Sequence, residues 1–72
     1  MLKSLGLIIR KHRQSSKLSM STLARAIGVS KQTIYWWEHN LRSPDYRHLV
    51  LLSNVLAVNV EDWVIYKMND KM

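Results

Sequence analysis

The stretch Leu23-Ala24-Arg25-Ala26-Ile27-Gly28-Val29-Ser30-Lys31-Gln32-Thr33-Ile34-Tyr35-Trp36-Trp37-Glu38 leaves the chain few folds to choose from. Before Gly28 the apolar residues Leu23, Ala24 and Ile27 recur at helical spacing, and after it Ile34 and Trp37 do the same. A glycine between two such runs supplies the positive φ that ends one helix, and Ser30 stands where the next needs a cap. The expected result is two short helices held at a fixed angle. The second buries Ile34 and Trp37 and turns Lys31, Gln32, Thr33, Tyr35 and Trp36 outward, toward a partner.

The flanking sequence reads as further helices. Leu5, Ile8 and Ile9 share one stripe of an amphipathic segment from Ser4 to Ser16, with Arg10, Lys11 and Gln14 elsewhere. Leu18 resumes the apolar pattern, and Ser19 is positioned to cap a helix over Met20–Ile27. Beyond Glu38, Asn40 can take the left-handed conformation that closes a helix. Pro44 is expected as the first residue of a fourth helix capped by Ser43, burying Leu49, Leu52, Val55 and Leu56. Asn59 opens a fifth, with Glu61 and Asp62 in its first turn and Val60, Trp63 and Val64 inward. No strand candidate and no repeat interrupts this series, so the expected fold is a compact all-α five-helix bundle. The domain is expected over residues 1–66, with 67–72 as a short C-terminal tail.

Composition narrows the chemistry. At 72 residues the chain is a single small domain, and without cysteine neither disulfides nor thiolate metal sites can hold it together. The charge of +6 is uneven: residues 1–50 carry nine lysines and arginines against Glu38 and Asp45, whereas residues 51–72 carry Lys67 and Lys71 against Glu61, Asp62 and Asp70. The basic part contains the two-helix stretch, as expected of a face that meets a polyanion such as nucleic acid. No apolar run approaches the roughly 18 residues of a membrane span, and Arg10-Lys11-His12-Arg13 follows the N-terminal apolar residues where a cleavage site would otherwise stand. A cytoplasmic protein with no membrane partner is expected. His12, His39 and His48 lie in separate segments without metal-ligand spacing, so no metal or cofactor is expected. His12 reads as a partly buried helix histidine. The acids pair with no histidine in a catalytic arrangement, and there is no glycine-rich phosphate loop, which argues against an enzyme and a small-molecule ligand.

Leu18, Ser19, Leu23, Ala24, Ile27, Gly28, Val29, Ser30, Thr33, Ile34, Trp37 and Glu38, then Arg42-Ser43-Pro44, then Leu56, Val58, Val60 and Trp63, form a pattern over most of the chain. It resembles the Cro/repressor-type (XRE-like) helix-turn-helix family of phage and bacterial transcriptional regulators. The resemblance implies a bundle of the lambda-repressor-like type and double-stranded DNA as partner. It also implies a buried ion pair between Arg13 in the first helix and Glu38 at the end of the third. The base-reading surface maps to Lys31, Gln32, Thr33, Tyr35 and Trp36. Gln32 can pair bidentately with adenine, Lys31 can reach guanine or a phosphate, and Thr33 can touch a thymine methyl. Phosphate contacts map to Ser19, Met20, Ser21, Lys17, Arg42 and Arg47, around the start of the second helix and the loop after the third.

Several positions depart from that family pattern. Met20 stands where relatives carry a phosphate-clamping glutamine, and Trp36 where they carry a polar or basic residue. An exposed Trp36 beside Tyr35 suits either thymine methyls in a DNA groove or an anchor for another protein. Lys17, Asn40 and Ala57 replace helix-ending glycines. Leu51, Ile65, Tyr66 and Met68 are more apolar than a free surface needs and are candidate contacts of a two-fold homodimer, the alternative being that they complete the monomer core. Two functions follow: a small Cro-like repressor on a pseudo-palindromic operator, or an antirepressor that binds another repressor protein, with an antitoxin as a variant.

Overall fold

Four side-chain caps set where the helices begin. In a computed structural model, which describes residues 4–70, α1 spans Leu5–Ser15, α2 Met20–Ile27, α3 Lys31–Glu38, α4 Tyr46–Leu56 and α5 Val60–Asp70. Ser4, Ser19 and Ser30 accept the backbone N–H groups of Leu7, Thr22 and Thr33 through their hydroxyls, and Asp45 accepts that of His48 at 2.9 Å. Each bond satisfies a donor that a helix start leaves without an intrahelical partner. No strand occurs among the described residues.

The helix ends share one device. Lys17 (φ 59°), Gly28 (φ 86°), Asn40 (φ 58°) and Ala57 (φ 56°) are all left-handed. The turns expected of glycine are thus retained where the side chain is lysine, asparagine or alanine. For lysine and alanine that conformation costs about 1–2 kcal/mol, because Cβ crowds the following carbonyl, whereas asparagine tolerates it better.

One helix boundary differs from expectation. Pro44 is not the first residue of α4 and Ser43 is not its cap: the helix starts at Tyr46, capped by Asp45. The Asp45 carboxylate accepts the His48 backbone N–H and also meets His48 Nδ1 at 2.8 Å, a pairing the Ser43 hydroxyl cannot match. Pro44 is instead buried in the preceding loop, and its carbonyl accepts Lys67 Nζ at 2.6 Å. At the C-terminus α5 runs on past residue 66. No glycine or proline follows Val64, and α5 continues through Lys67 and Met68 to Asp70, so residue 66 lies inside a helix. Residues 71 and 72 lie outside the described residues.

The apolar stripes meet in one core. Leu5, Ile8 and Ile9 of α1, Leu23, Ala24 and Ile27 of α2, Ile34 and Trp37 of α3, Leu49, Leu52 and Leu56 of α4, and Trp63 of α5 are all buried. His12 lies against Trp63 with ring centroids 5.7 Å apart, and Tyr66 meets the same indole at 6.0 Å.

Helix α1 crosses the end of α3 at close range, and Gly6 makes this possible. A Cβ at Gly6 would stand 2.6 Å from the Glu38 carbonyl and 2.7 Å from Asn40 Oδ1, and nearer still to the Trp37 carbonyl. The Gly6 N–H instead donates to Asn40 Oδ1 at 3.0 Å. Asn40 therefore closes α3 with its backbone and ties it to α1 with its side chain.

Candidate nucleic-acid interface

The outer face of α3 is what its packing leaves free. Ile34, Trp37 and Glu38 turn inward, so the first turn presents Lys31 and Gln32 exposed and Thr33 half-buried. Ser30 holds that turn twice, accepting the Thr33 N–H at 3.1 Å and sharing a hydrogen bond with Thr33 Oγ1 at 3.0 Å. The hydroxyl of Thr33 is thereby engaged, and its methyl group remains for an outside contact.

The second turn is more structured than the sequence implies. The Tyr35 ring stacks on His39 at 4.0 Å, and His39 Nδ1 lies 2.9 Å from the Tyr35 carbonyl. Trp36, expected to be exposed, is half-buried because the loop after α3 folds back over it. The backbone N–H groups of Leu41 and Arg42 both donate to the Trp36 carbonyl, at 2.9 and 3.4 Å. The Arg42 guanidinium carbon then sits 4.3 Å from the centroid of the Trp36 ring. Thr33, Trp36, Arg42, Ser43 and His48 line a shared groove of about 240 Å³.

The flanking residues frame this face unequally. Ser19 and Ser21 are exposed at the start of α2, with the Ser19 hydroxyl donating to Thr22 Oγ1 at 2.9 Å. Lys17, Arg42 and Arg47 are exposed and basic. Met20 is a different case: its side chain packs against the core, so what this position offers an anion is the backbone of a helix start. Asp45 stands beside Arg47 as an exposed carboxylate, held below its ordinary value of 3.8 first by the His48 backbone N–H and further by the His48 and Arg47 charges.

The third helix is fixed to the first by charge. Arg13 Nε donates to Glu38 Oε2 at 2.5 Å and Nη2 to Glu38 Oε1 at 3.1 Å, while Nη1 donates to the Leu18 carbonyl at 2.9 Å. The side chains are 12% and 2% exposed. One guanidinium therefore joins α1, the connection before α2 and the end of α3, which sets the angle at which the outer face of α3 is held.

The residues assigned to a dimer surface divide. Leu51 and Tyr66 are half-buried and pack against the core, whereas Ile65 and Met68 are 52% and 63% exposed. Tyr46, which the sequence did not single out, is also exposed and joins Leu49, Val64, Lys67 and Met68 around a small groove. Its position at the start of α4 was hidden while Pro44 was expected there. Among the described residues, no group of three or more potential ligands could hold a metal ion, and no helix is long and apolar enough to cross a membrane.

A left-handed glycine joining two short helices, the second buried on one side and polar, basic and aromatic on the other, defines a helix-turn-helix domain. Residues 9–63 match the helix-turn-helix family HTH_3, and the chain belongs to it. A crystal structure of the P22 c2 repressor protein in complex with a synthetic operator is similar, with a TM-score of 0.80 and 28% identity over 85% of this chain and 92% of that one. The N-terminal DNA-binding domain of SinR from Bacillus subtilis superposes with a TM-score of 0.76 and 33% identity, covering 83% of this chain and 88% of that one. The uncharacterised HTH-type transcriptional regulator YqaE of Bacillus subtilis is 28% identical over 64 residues. That alignment takes in 89% of this chain but only 55% of YqaE, so the chain spans about half the length of this relative. Family and fold are those of DNA-binding transcriptional regulators.

Proposed function

We propose that the chain binds duplex DNA sequence-specifically through α3 and represses transcription by covering promoter DNA, as a small Cro-like regulator of phage or prophage type. The observation that carries this reading is the outer face of α3. Lys31, Gln32 and Thr33 are presented from a doubly capped first turn, between the hydroxyl-rich start of α2 and the basic loop at Arg42. In the major groove Gln32 pairs with adenine N6 and N7, and Lys31 reaches a guanine edge or a phosphate. Ser19, Ser21, Lys17, Arg42 and Arg47 hold the backbone on either side and fix the register without reading sequence. Operators of this type are pseudo-palindromic, so a two-fold dimer with α3 helices about 34 Å apart matches the site. The exposed Tyr46, Ile65 and Met68 are the candidate dimer surface.

A second reading, an antirepressor that binds another repressor protein, is supported by the exposed Tyr35 and by a SinR protein/SinI protein complex among the similar structures. It is weakened by Met20 and Trp36, whose apolar surface is largely taken up by the core and by Arg42. A gel-shift series on the intergenic DNA beside the protein's own gene separates the two. A shift by this protein alone, weakening steeply with salt as counterions are released, supports the repressor. Loss of a neighbouring repressor's shift, with none by this protein alone, supports the antirepressor.

A further inference from the structure

We propose that Lys67 of α5 is the positioning residue for the DNA-backbone contact of Arg42. The inference rests on the DNA-binding reading and adds to it a residue from the last helix of the chain.

The loop that carries Arg42 bridges more than it packs. It runs from Leu41, 63% exposed, to Pro44, and a cleft of about 510 Å³ lies against it, lined among others by Ser4, Asn40, Arg42, Ser43 and Lys67. A segment beside an open cleft is held at its ends. At the near end the N–H groups of Leu41 and Arg42 donate to the Trp36 carbonyl. At the far end Pro44 is buried, and its carbonyl accepts Lys67 Nζ at 2.6 Å. Between the two ties little freedom remains, because proline fixes its own φ and confines the preceding Ser43 to extended backbone. Where the Pro44 carbonyl is pinned therefore decides the path of the backbone at Arg42.

A lysine suits this task. Its ammonium makes a charge-assisted bond to the carbonyl, stronger than a neutral donor makes. Its long apolar stem lets that donor come from α5, where Lys67 is half-buried and shares a groove with Leu49 and Val64. Without the donor the loop is tied at one end only, and holding Arg42 against a phosphate then requires the loop to be ordered at the moment of binding. A single exposed ion pair does not offset that cost, and the contact is lost. The two residues thus act in series: Lys67 contributes to DNA binding through Arg42 and not beside it.

Duplexes that bind the wild-type protein are selected from a randomised library at low salt. The slope of log affinity against log salt is then measured for Lys67→Met, Arg42→Gln and the double variant, each below its melting temperature. The expected result is a slope reduced by about 0.9 per bound chain, one phosphate contact, in each single variant. The double variant should lose no more than Arg42→Gln alone, in slope or in affinity. Lys67→Arg, which keeps a charged donor on a long stem, should retain the wild-type slope, and Lys67→Gln serves as the neutral variant where Lys67→Met does not fold. A wild-type slope in Lys67→Met, with only the melting temperature lowered, makes the tie purely structural and overturns the proposal. Losses that add to about 1.8 in the double variant also overturn it, since Lys67 then meets a phosphate itself. So does a wild-type slope in Arg42→Gln. If the wild-type protein retains no duplex in a salt-dependent way, the DNA-binding reading fails and this assignment fails with it.

Discussion

Replacing Glu38 by alanine removes both oxygens that Arg13 holds and leaves the guanidinium of this side chain, only 12% exposed as a whole, with the Leu18 carbonyl as its remaining described partner. Breaking a buried pair from one side costs about 3–5 kcal/mol, because a desolvated charge is left uncompensated. A domain of 72 residues is stabilised by about 4–11 kcal/mol in total, at 0.05–0.15 kcal/mol per residue. The single substitution thus removes about a quarter of the stability or more, and at the lower end of the total it unfolds the protein. Removing both partners is a different perturbation. Arg13→Met with Glu38→Leu leaves no stranded charge, and apolar replacement of such a pair is often neutral or stabilising, so the double variant should recover most of the loss. Urea titration followed by tryptophan fluorescence suits the measurement, since Trp37 and Trp63 are 4% and 0% exposed and change environment on unfolding. The midpoint should fall in Glu38→Ala with the slope unchanged, and return in the double variant. A loss below about 1 kcal/mol in Glu38→Ala, the range of an exposed pair, would refute the reasoning. So would a double variant no better than the single ones.

Gly6→Ala drives a methyl group into the Trp37 and Glu38 carbonyls, and overpacking of this kind costs about 1–3 kcal/mol or more, read as a lowered urea midpoint. Ala57→Gly acts in the opposite direction: relief of the left-handed strain, less the added freedom of the unfolded chain, leaves a gain of about 0.5–1 kcal/mol, or a melting temperature raised by about 2–8 °C. Asp45→Ala should lower the melting temperature at neutral pH. Because the Asp45 carboxyl is depressed below 3.8 in the folded state, its contribution is present above the unfolded value and lost as pH falls through the folded one. The deficit of the variant should therefore shrink in acid, in a series of melts from pH 7 to about pH 2, leaving what the neutral carboxyl still contributes as a cap.

What the sequence made legible was local. Ser19, Ser30, Gly28 and Asn40 announce their roles by residue type, and the stripes of Leu5, Ile8, Ile9, Leu49, Leu52 and Leu56 identify the buried faces without reference to other helices. What it hid depended on distant neighbours or on competition between adjacent residues. Gly6 reads as a weak point in a helix until α3 is brought against it. Ser43, Pro44 and Asp45 could each begin α4, and the choice follows from the carboxylate's two contacts with His48. Leu51 and Tyr66 sit at the edges of amphipathic stripes, where a small rotation separates half-buried from exposed. At the interface, Lys31 and Gln32 stand outward as the periodicity requires, but the covering of Trp36 depends on the path of the loop after it.

The left-handed helix ends divide into two kinds, and the division bears on the order in which the molecule assembles. Gly28 and Asn40, which bracket α3, suit that conformation by their own chemistry, so these two joints can form while the rest of the chain is still unstructured. Lys17 and Ala57 do not favour it, and the joints after α1 and α4 must wait for docking to impose them. The segment that carries the outer face of α3 is thus the part whose corners are encoded locally, and α1, α4 and α5 close around it.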